Sequence, residues 1–420
     1  MERVFAVRRA GAAAGRCCPR ADGALWRSLR PLLAASALLG VPASYPRGRP
    51  WLRAASRCHC AALLSLQLFA STSAVVRLSA LVLSGTMRSV LVPALAGALC
   101  SSVSGVVAAT CALLRCASRL PSAISAIERV DHLLAVDRPR SYSTTRTYCV
   151  LSLSVVLLYQ AALAVYKGLV VHQYVLFPFV ATITMLTLLQ FLTLVLTLRY
   201  RFHTLNRELV KCLGYTGNNL ELLDQIHNCG GTKWRSVDTH SLTDHIVMGD
   251  DTLCARLLQL QVVYKRLTQL ASSVNDMYAV PIVALVVQDF AVITGLVFHL
   301  LLVAFSDREY DAVDTTIDQS FMVLSALRLV CLASVCQTTS SQAARTVDVA
   351  EEHLLLNMAR RGSPAVSREL RQLSRQARLR PVTFSACSLF TVDAGLLTTM
   401  AATILTYTVI LLQFIASEIQ

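Results

Sequence analysis

The chain has 420 residues, of which 55% are hydrophobic and only 15% charged, with a mean hydropathy of +0.54. Soluble domains run at roughly 45–50% apolar and about 25% charged, so this balance excludes an ordinary soluble enzyme, a disordered scaffold and a collagen-like repeat. The net charge of +14 would suit a nucleic-acid binder, but the basic residues sit between long apolar runs, which points to a lipid bilayer and away from nucleic acid.

A spanning helix needs about 20 mostly apolar residues. Residues 1–56 read as a basic cytosolic segment, with a short apolar run at 31–45 that Gly40 and Pro42 break. That run is expected to form an interfacial or re-entrant helix. Within 57–198 four runs meet the spanning standard, at 58–84, 89–114, 147–169 and 174–198. The stretch 199–277 is too long for a structureless connection. Inside it Leu253, Leu257, Leu260, Val263, Leu267, Leu270 and Val274 recur at the spacing of one helix face. The helices flanking it are therefore expected to project into the cytosol and pack together. Two further spans, 278–303 and 319–338, fill 278–338. A basic loop at 339–383 with polar helical patterns at 345–360 and 367–378 leads to the last run, 384–414, and a tail at 415–420. The expected fold class is an all-α membrane protein with seven transmembrane helices.

Orientation follows from Lys and Arg. They concentrate in 1–56, 115–146, 199–277 and 339–383, whereas the opposite set of connections holds only Arg88 and Arg308. The segment Ser306–Asp318 instead carries Asp307, Glu309, Asp311, Asp314 and Asp318. The positive-inside rule then places the N-terminus in the cytosol and the C-terminus outside, the reverse of a G-protein-coupled receptor.

The 14 cysteines form no disulfide framework and read as small buried residues or reduced thiols. Cys58-His59-Cys60 lacks zinc-ligand spacing, and His240 and His245 have no companion cysteine pair. No metal or cofactor is expected, and no His, Asp, Glu or Ser set has catalytic spacing. A transporter would show matching broken helices in two halves, and none stands out.

The final run Phe384–Phe414 holds 31 residues, about 46 Å as one helix against about 30 Å of hydrocarbon. Such a helix must tilt, break or start inside the cytosol, and Asp393 favours the last. Its end reads Thr406-Tyr407-Thr408-Val409-Ile410-Leu411-Leu412-Gln413-Phe414. This string resembles the C-terminal signature of insect gustatory receptors. The stretch Ala386–Asp393 is similar to the start of that family's last helix, and Arg30-Pro31-Leu32-Leu33 followed by Leu39-Gly40-Val41-Pro42 is similar to its N-terminal region. One departure is Thr408, where many members carry an apolar residue.

The resemblance implies a tastant-gated cation channel in the plasma membrane of chemosensory neurons. It further implies a homo- or heterotetramer with other gustatory receptors, joined by a cytosolic helical anchor and lined by the last helix. On that basis Gln413 and Phe414 would form the outer pore constriction, braced by Thr406 and Tyr407. A Phe ring blocks ions by dewetting and an amide ring hydrates them. The ligand, a small-molecule tastant, would sit in the outer half of each subunit. Candidate wall residues are Tyr159, Tyr166, His172, Tyr174, Gln288, Asp289, Phe290, His299 and Phe321. Most of these are Tyr or Phe, which favours bitter or broad chemical cues over sugars. Asp289 and Arg328, both inside expected spans, are expected to pair within the bundle. The rival readings are an odorant-type receptor channel of the same superfamily and a G-protein-coupled receptor.

Overall fold

The computed structural model describes residues 23–39, 50–83, 88–134, 138–170, 176–213, 250–305, 312–359 and 362–419. Helix α1 is Ala24–Leu38 and α2 is Pro50–Leu83. Helix α3, Arg88–Cys111, runs through a π-helical turn at Ala112–Cys116 into α4, Ala117–Leu134. Helices α5 (Arg138–Val170) and α6 (Leu176–Cys212) follow. The two longest helices are α7, Asp250–Phe305 with 56 residues, and α8, Ala312–Ala359 with 48. Helix α9 (Pro364–Leu379), a two-stranded hairpin of β1 (Ser385–Ala386) and β2 (Phe390–Thr391), and α10 (Ala394–Ile419) complete the chain.

Length explains the architecture. At 1.5 Å per residue α7 is about 84 Å long and α8 about 72 Å, two to three times the hydrocarbon core. Each therefore continues beyond the apolar layer, and the projecting ends of α6, α7 and α8 pack with α4 and α9 into a helical base. Among the described residues five helices are long and apolar enough to cross a membrane, within Leu99–Cys116, Tyr142–Leu163, Ala181–Cys212, Asp251–Leu301 and Gln319–Met358, with a shorter apolar helix at Ala394–Ile410. The first expected run falls in α2.

The base is built as an ordinary soluble bundle. In α7, Leu257, Leu260, Val263, Leu267, Leu270 and Val274 are buried along one stripe. In α9, Val366, Leu370, Leu373 and Ala377 are buried while Arg368, Arg371, Arg375 and Arg378 are exposed, the separation of faces that makes a polar segment helical against a core. Pro364 at the first turn of α9 fits its fixed φ without losing a helical hydrogen bond. One hydrophobic core connects α1 and α4 through α10.

Two segments differ from the sequence expectation. The apolar run 384–414 is not one helix. Its first ten residues form the hairpin, paired Ser385 to Thr391 and Ala386 to Phe390, and the helix begins at Ala394. Cys387 (φ 52°) and Ser388 (φ 59°) occupy the left-handed region, and the Leu389 N–H donates to the Ala386 carbonyl at 2.9 Å. Two consecutive positive φ values make the tight turn whose twist suits a hairpin. Phe384, Ala386 and Val392 are buried, so the segment is apolar because it packs, not because it spans. The segment similar to the start of the family's last helix, Ala386–Asp393, is thus hairpin. The run expected at 31–45 likewise forms a helix, α1, that starts earlier and ends at Leu38. Its face of Leu25, Leu29, Leu32 and Leu33 is buried against α5 and α6. Gly40 and Pro42 lie outside the described residues.

Candidate functional site

Helix α10 leaves part of its apolar surface open to a partner. It packs against α7 and α8, yet Leu405, Val409 and Ile410 are exposed and Tyr407 is 50% exposed. Its start is held from two sides. The Asp393 carboxylate accepts from the Leu396 N–H at 3.2 Å, capping the helix, and the Gln337 amide oxygen of α8 accepts from the Ala394 N–H at 3.1 Å. Thr391 also donates to Asp393 at 2.8 Å. The hairpin before it is tied to α7 by the Ser385 N–H, which donates to Asn275 at 3.0 Å.

Further along α10, Thr406 donates to the Ala402 carbonyl at 2.9 Å and Thr408 to the Ile404 carbonyl at 2.8 Å. The Thr408 hydroxyl is thereby satisfied within the helix, one turn back. The Tyr407 ring meets the Phe290 ring of α7 edge-on, with centroids 6.3 Å apart at 71°, a favoured aromatic geometry. Gln413 is exposed. The side chain of Phe414 lies outside the described residues.

One residue before Phe290, Asp289 points to α8. The Arg328 guanidinium donates through Nη2 to Asp289 Oδ1, and to the Ser325 hydroxyl at 3.0 Å. The two charged side chains are 0% and 9% exposed. Successive residues of α7 therefore face two partners, Asp289 the ion pair with α8 and Phe290 the pore-helix candidate. Along α8, Phe321, Ser325 and Arg328 share one face by their spacing. Phe321 stacks edge-on against Tyr159 of α5 (6.4 Å, 80°), and the Tyr159 hydroxyl lies 3.2 Å from Ser320 Oγ. This aromatic wall stands about 10 Å along α8 from the ion pair. Gln288 is buried and His299 half-buried. The side chain of Tyr166, and His172 and Tyr174 entirely, lie outside the described residues. The structure thus brings together Asp289 with Arg328, Tyr159 with Phe321, and Phe290 with Tyr407.

Three polar links escaped the sequence reading. Asp131 of α4, fully buried, receives Arg201 Nε at 2.8 Å and Nη2 at 2.9 Å, and the Tyr142 hydroxyl as a third donor. The Arg201 guanidinium lies 5.7 Å from the Tyr142 ring centroid and 5.4 Å from that of Tyr200. This cluster fastens α4, α5 and α6 at one point. Asn206 of α6 accepts from Thr346 at 2.7 Å and donates to the Gln342 carbonyl at 2.8 Å, tying α6 to α8. The Tyr278 hydroxyl of α7 donates to Gln190 of α6 at 3.2 Å. The only sequence signal was an Asp within the 115–146 connection and a Tyr and an Arg near span ends, where such residues are common. In the base, Glu351 accepts from Ser374 at 2.5 Å and from Arg378. The Arg378 and Ser374 hydrogen bonds hold the Glu351 carboxyl below its usual range.

Among the described residues no group of three His, Cys, Asp or Glu could hold a metal ion. His59 places Nε2 at 3.1 Å from the Leu38 carbonyl. His240 and His245 lie outside the described residues.

No curated protein sequence matches the chain. Among solved structures it is similar to the insect olfactory receptor OR5 from Machilis hrabei in complex with eugenol, with a TM-score of 0.63 and 12% identity over 92% of this chain and 98% of that one. A second structure of the same receptor gives a TM-score of 0.59 at 13% identity, with the same coverage of both chains. These likenesses establish a shared all-helical membrane fold. The family described as 7tm Chemosensory receptor matches residues 29–418, and the chain, a multi-pass membrane protein by its apolar helices, belongs to that family.

Proposed function

We propose that the chain is a gustatory-type receptor, a tastant-gated cation channel of the plasma membrane with a cytosolic N-terminus and an extracellular C-terminus. The observation that carries this reading is α10. Its terminal string from Thr406 and Tyr407 to Gln413 and Phe414 resembles the gustatory signature, and its apolar face is left exposed by the single chain. In an assembly of four chains that face meets neighbours and the Gln413 end surrounds the pore, where amides hydrate ions. The base of α4, α6, α7, α8 and α9 serves as the anchor where copies meet, as a homo- or heterotetramer.

The mechanism follows from the contacts of α7. A small molecule seated among α5, α7 and α8, near Tyr159, Phe321 and the Asp289–Arg328 pair, changes how α7 sits against α8. Phe290, on the next residue of α7, passes that change to Tyr407 and rotates the outer half of α10. The fixed lower end, capped by Asp393 and Gln337, is the pivot. The odorant-type reading is favoured by one observation, that the structurally similar protein reported above is an olfactory receptor.

Two experiments test the proposal. Tags at each end, labelled on intact and then permeabilised cells, should show the C-terminal tag outside and the N-terminal tag inside. The opposite labelling overturns the topology and returns the G-protein-coupled reading. Whole-cell recording with Gln413→Glu should shift the reversal potential and divalent block of the ligand-evoked current. An unchanged current removes Gln413 from the pore.

A further inference from the structure

A cleft of about 510 Å³ opens between α8 and α9 in the helical base, the size of a small-molecule site. On the α9 side Arg371, Arg375 and Arg378 line it, with Ser374 between them and Leu379 beyond. The arginines recur every three or four residues, so successive turns place them along one wall. On the α8 side stand Glu351, Leu354 and Leu355. Three guanidiniums against one carboxylate leave the lining with a net charge of +2. Leu355 and Leu379 are 68% and 70% exposed, so the cleft also offers apolar surface beyond the part of α8 that lipid could cover.

The carboxylate is already engaged. Glu351 accepts from Arg378 through both of its oxygens and from the Ser374 hydroxyl, and Asp348, one turn earlier on α8, also attracts Arg378. Arg378 is thereby neutralised, whereas Arg371 and Arg375 are not. Both are exposed. Arg371 Nη2 has the Met358 thioether at 3.6 Å, a weak acceptor. Among the described residues Arg375 has no hydrogen-bond or ion-pair partner. The acid of α9 itself, Glu369, accepts from Gln261 of α7 at 3.0 Å and does not line the cleft.

We infer that this cleft binds a soluble phosphate monoester carried on an apolar or aromatic body, gripped by Arg371 and Arg375 with its body against Leu354, Leu355 and Leu379. Such a monoester carries about −1.5 to −2 charge at neutral pH and three acceptor oxygens, which matches two unneutralised guanidiniums. Side chains at i and i+4 leave a helix roughly 5–6 Å apart, close enough for two forked donors to hold one phosphate from both sides. A monocarboxylate or a sulfonate brings one charge and satisfies one arginine. Depth decides between a water-borne ester and a lipid headgroup. Glu351 lies about 21 Å along α8 beyond Gln337, which meets the first residue of α10, and the headgroup layer is only about 5–8 Å deep. A bilayer phosphate does not reach the cleft. The site is separate from the aromatic wall at Tyr159 and Phe321, and the inference goes beyond the receptor-channel reading without depending on it.

The test is calorimetric titration of the full-length chain in phosphatidylcholine nanodiscs at pH 7.5. The probes are phenyl phosphate, inorganic phosphate and benzenesulfonate. Phenyl phosphate should bind saturably. Inorganic phosphate, which lacks the ring, and benzenesulfonate, which lacks the second charge, should each bind at least tenfold more weakly. Arg371→Gln and Arg375→Gln should each weaken phenyl phosphate at least tenfold. Both side chains are exposed, so the variants should unfold at the wild-type midpoint, and if one does not fold the other carries the comparison. Arg368→Gln removes an exposed charge of the same helix that does not line the cleft. It should leave the affinity within about twofold, which separates a built site from general attraction to a basic surface. Four results overturn the inference. The first is a wild type that does not bind phenyl phosphate saturably. The second is Arg371→Gln and Arg375→Gln binding as the wild type does. The third is benzenesulfonate binding as tightly as phenyl phosphate. The fourth is competition by phosphatidic acid included in the nanodisc, which assigns the arginines to a lipid. A wild type indifferent to phenyl phosphate, with Arg375→Gln altering the oligomeric state on size-exclusion, makes the cleft a contact between copies and overturns it equally.

Discussion

Breaking the Asp131–Arg201 pair from one side should be far more damaging than removing it whole. Both side chains are buried, at 0% and 1% exposure. The contact is bidentate at 2.8 and 2.9 Å, and Tyr142 supplies a further donor to the carboxylate. In Arg201→Met the Asp131 carboxylate keeps only the Tyr142 hydroxyl and loses two charge-assisted hydrogen bonds. Leaving one charge of such a pair buried costs about 3–5 kcal/mol. At 1.4 kcal/mol per decade, the lower bound corresponds to a folded population reduced on the order of a hundredfold. Replacing both, as Asp131→Leu with Arg201→Met, removes the uncompensated charge and is expected to cost much less, within about 1–2 kcal/mol of the wild type or even to stabilise. The assay is a double-mutant cycle read by thermal unfolding of detergent-solubilised protein and by surface delivery. A coupling energy below about 0.5 kcal/mol, the range of ordinary surface substitutions, would refute the reasoning, as would a double variant as damaged as the worse single one.

The remaining predictions concern the lane from α8 to α10 and the base. Asp289→Asn should lower surface expression or ligand response, and the charge swap Asp289→Arg with Arg328→Asp should recover part of the loss in surface labelling; a swap no better than the single variant counts against pairing as the reason for either charge. Phe290→Ala removes the ring that meets Tyr407 and should right-shift the ligand dose–response of the current while leaving surface expression near normal; an unshifted curve removes Phe290 from the coupling route. Loss of the α10 cap in Asp393→Ala should cost about 1 kcal/mol of local stability and raise the unliganded current, and Gln337→Ala should act in the same direction. The Glu351 carboxyl is held below its usual range by Arg378 and Ser374, so its contribution to the base is complete above the ordinary carboxylate pKa and is lost as pH falls through the lowered one. Assembly followed by size-exclusion should therefore be flat across neutral pH and weaken only in acid, and Arg378→Gln should remove that acid step.

The parts legible in the sequence are those written in local periodicity or in rare residues. The stripe from Leu257 to Val274 was readable because a helix face repeats within one segment, and all six of its later positions are buried. Asp289 and Arg328 stood out because charges inside apolar spans are scarce, so few pairings were available. The Asp131–Arg201 contact joins residues 70 apart, Arg201 just past a span end and Asp131 within a cytosolic connection, both places where charged residues are ordinary. The hairpin was hidden for a different reason. Hydropathy reports burial, not backbone shape, and Phe384, Ala386 and Val392 are as apolar packed in the core as they would be against lipid. The clue was Asp393. Read as an intramembrane carboxylate it argued only for depth, whereas its bond to the Leu396 N–H makes it the residue that starts the helix.

The polar cross-links are unevenly placed, and that unevenness is itself a mechanistic argument. Gln261 donates to Glu369 at 2.9 and 3.0 Å, Gln259 to the Leu133 carbonyl at 3.0 Å, Asn357 to Ser367 at 2.8 Å, and Asn206 joins Thr346 and Gln342. Every one of these joins elements of the base. Along α10 the described side-chain hydrogen bonds to other elements stop at its first residue, where Gln337 meets Ala394. Beyond Met400 its threonines bond back to their own helix, and the ring contact of Tyr407 with Phe290 is its described aromatic link to α7. A segment with few buried apolar contacts and no cross-helix hydrogen bonds lies at the low end of local stability. The fold therefore pairs a densely bonded base with a last helix that is pinned at its foot and loosely held above. Motion of α10 about Asp393 breaks one aromatic contact and no hydrogen bond between helices, while any comparable motion within the base breaks several. On the proposed reading, a ligand that shifts α7 by a small amount would meet little resistance in moving the helix that carries Gln413, and much in moving the base.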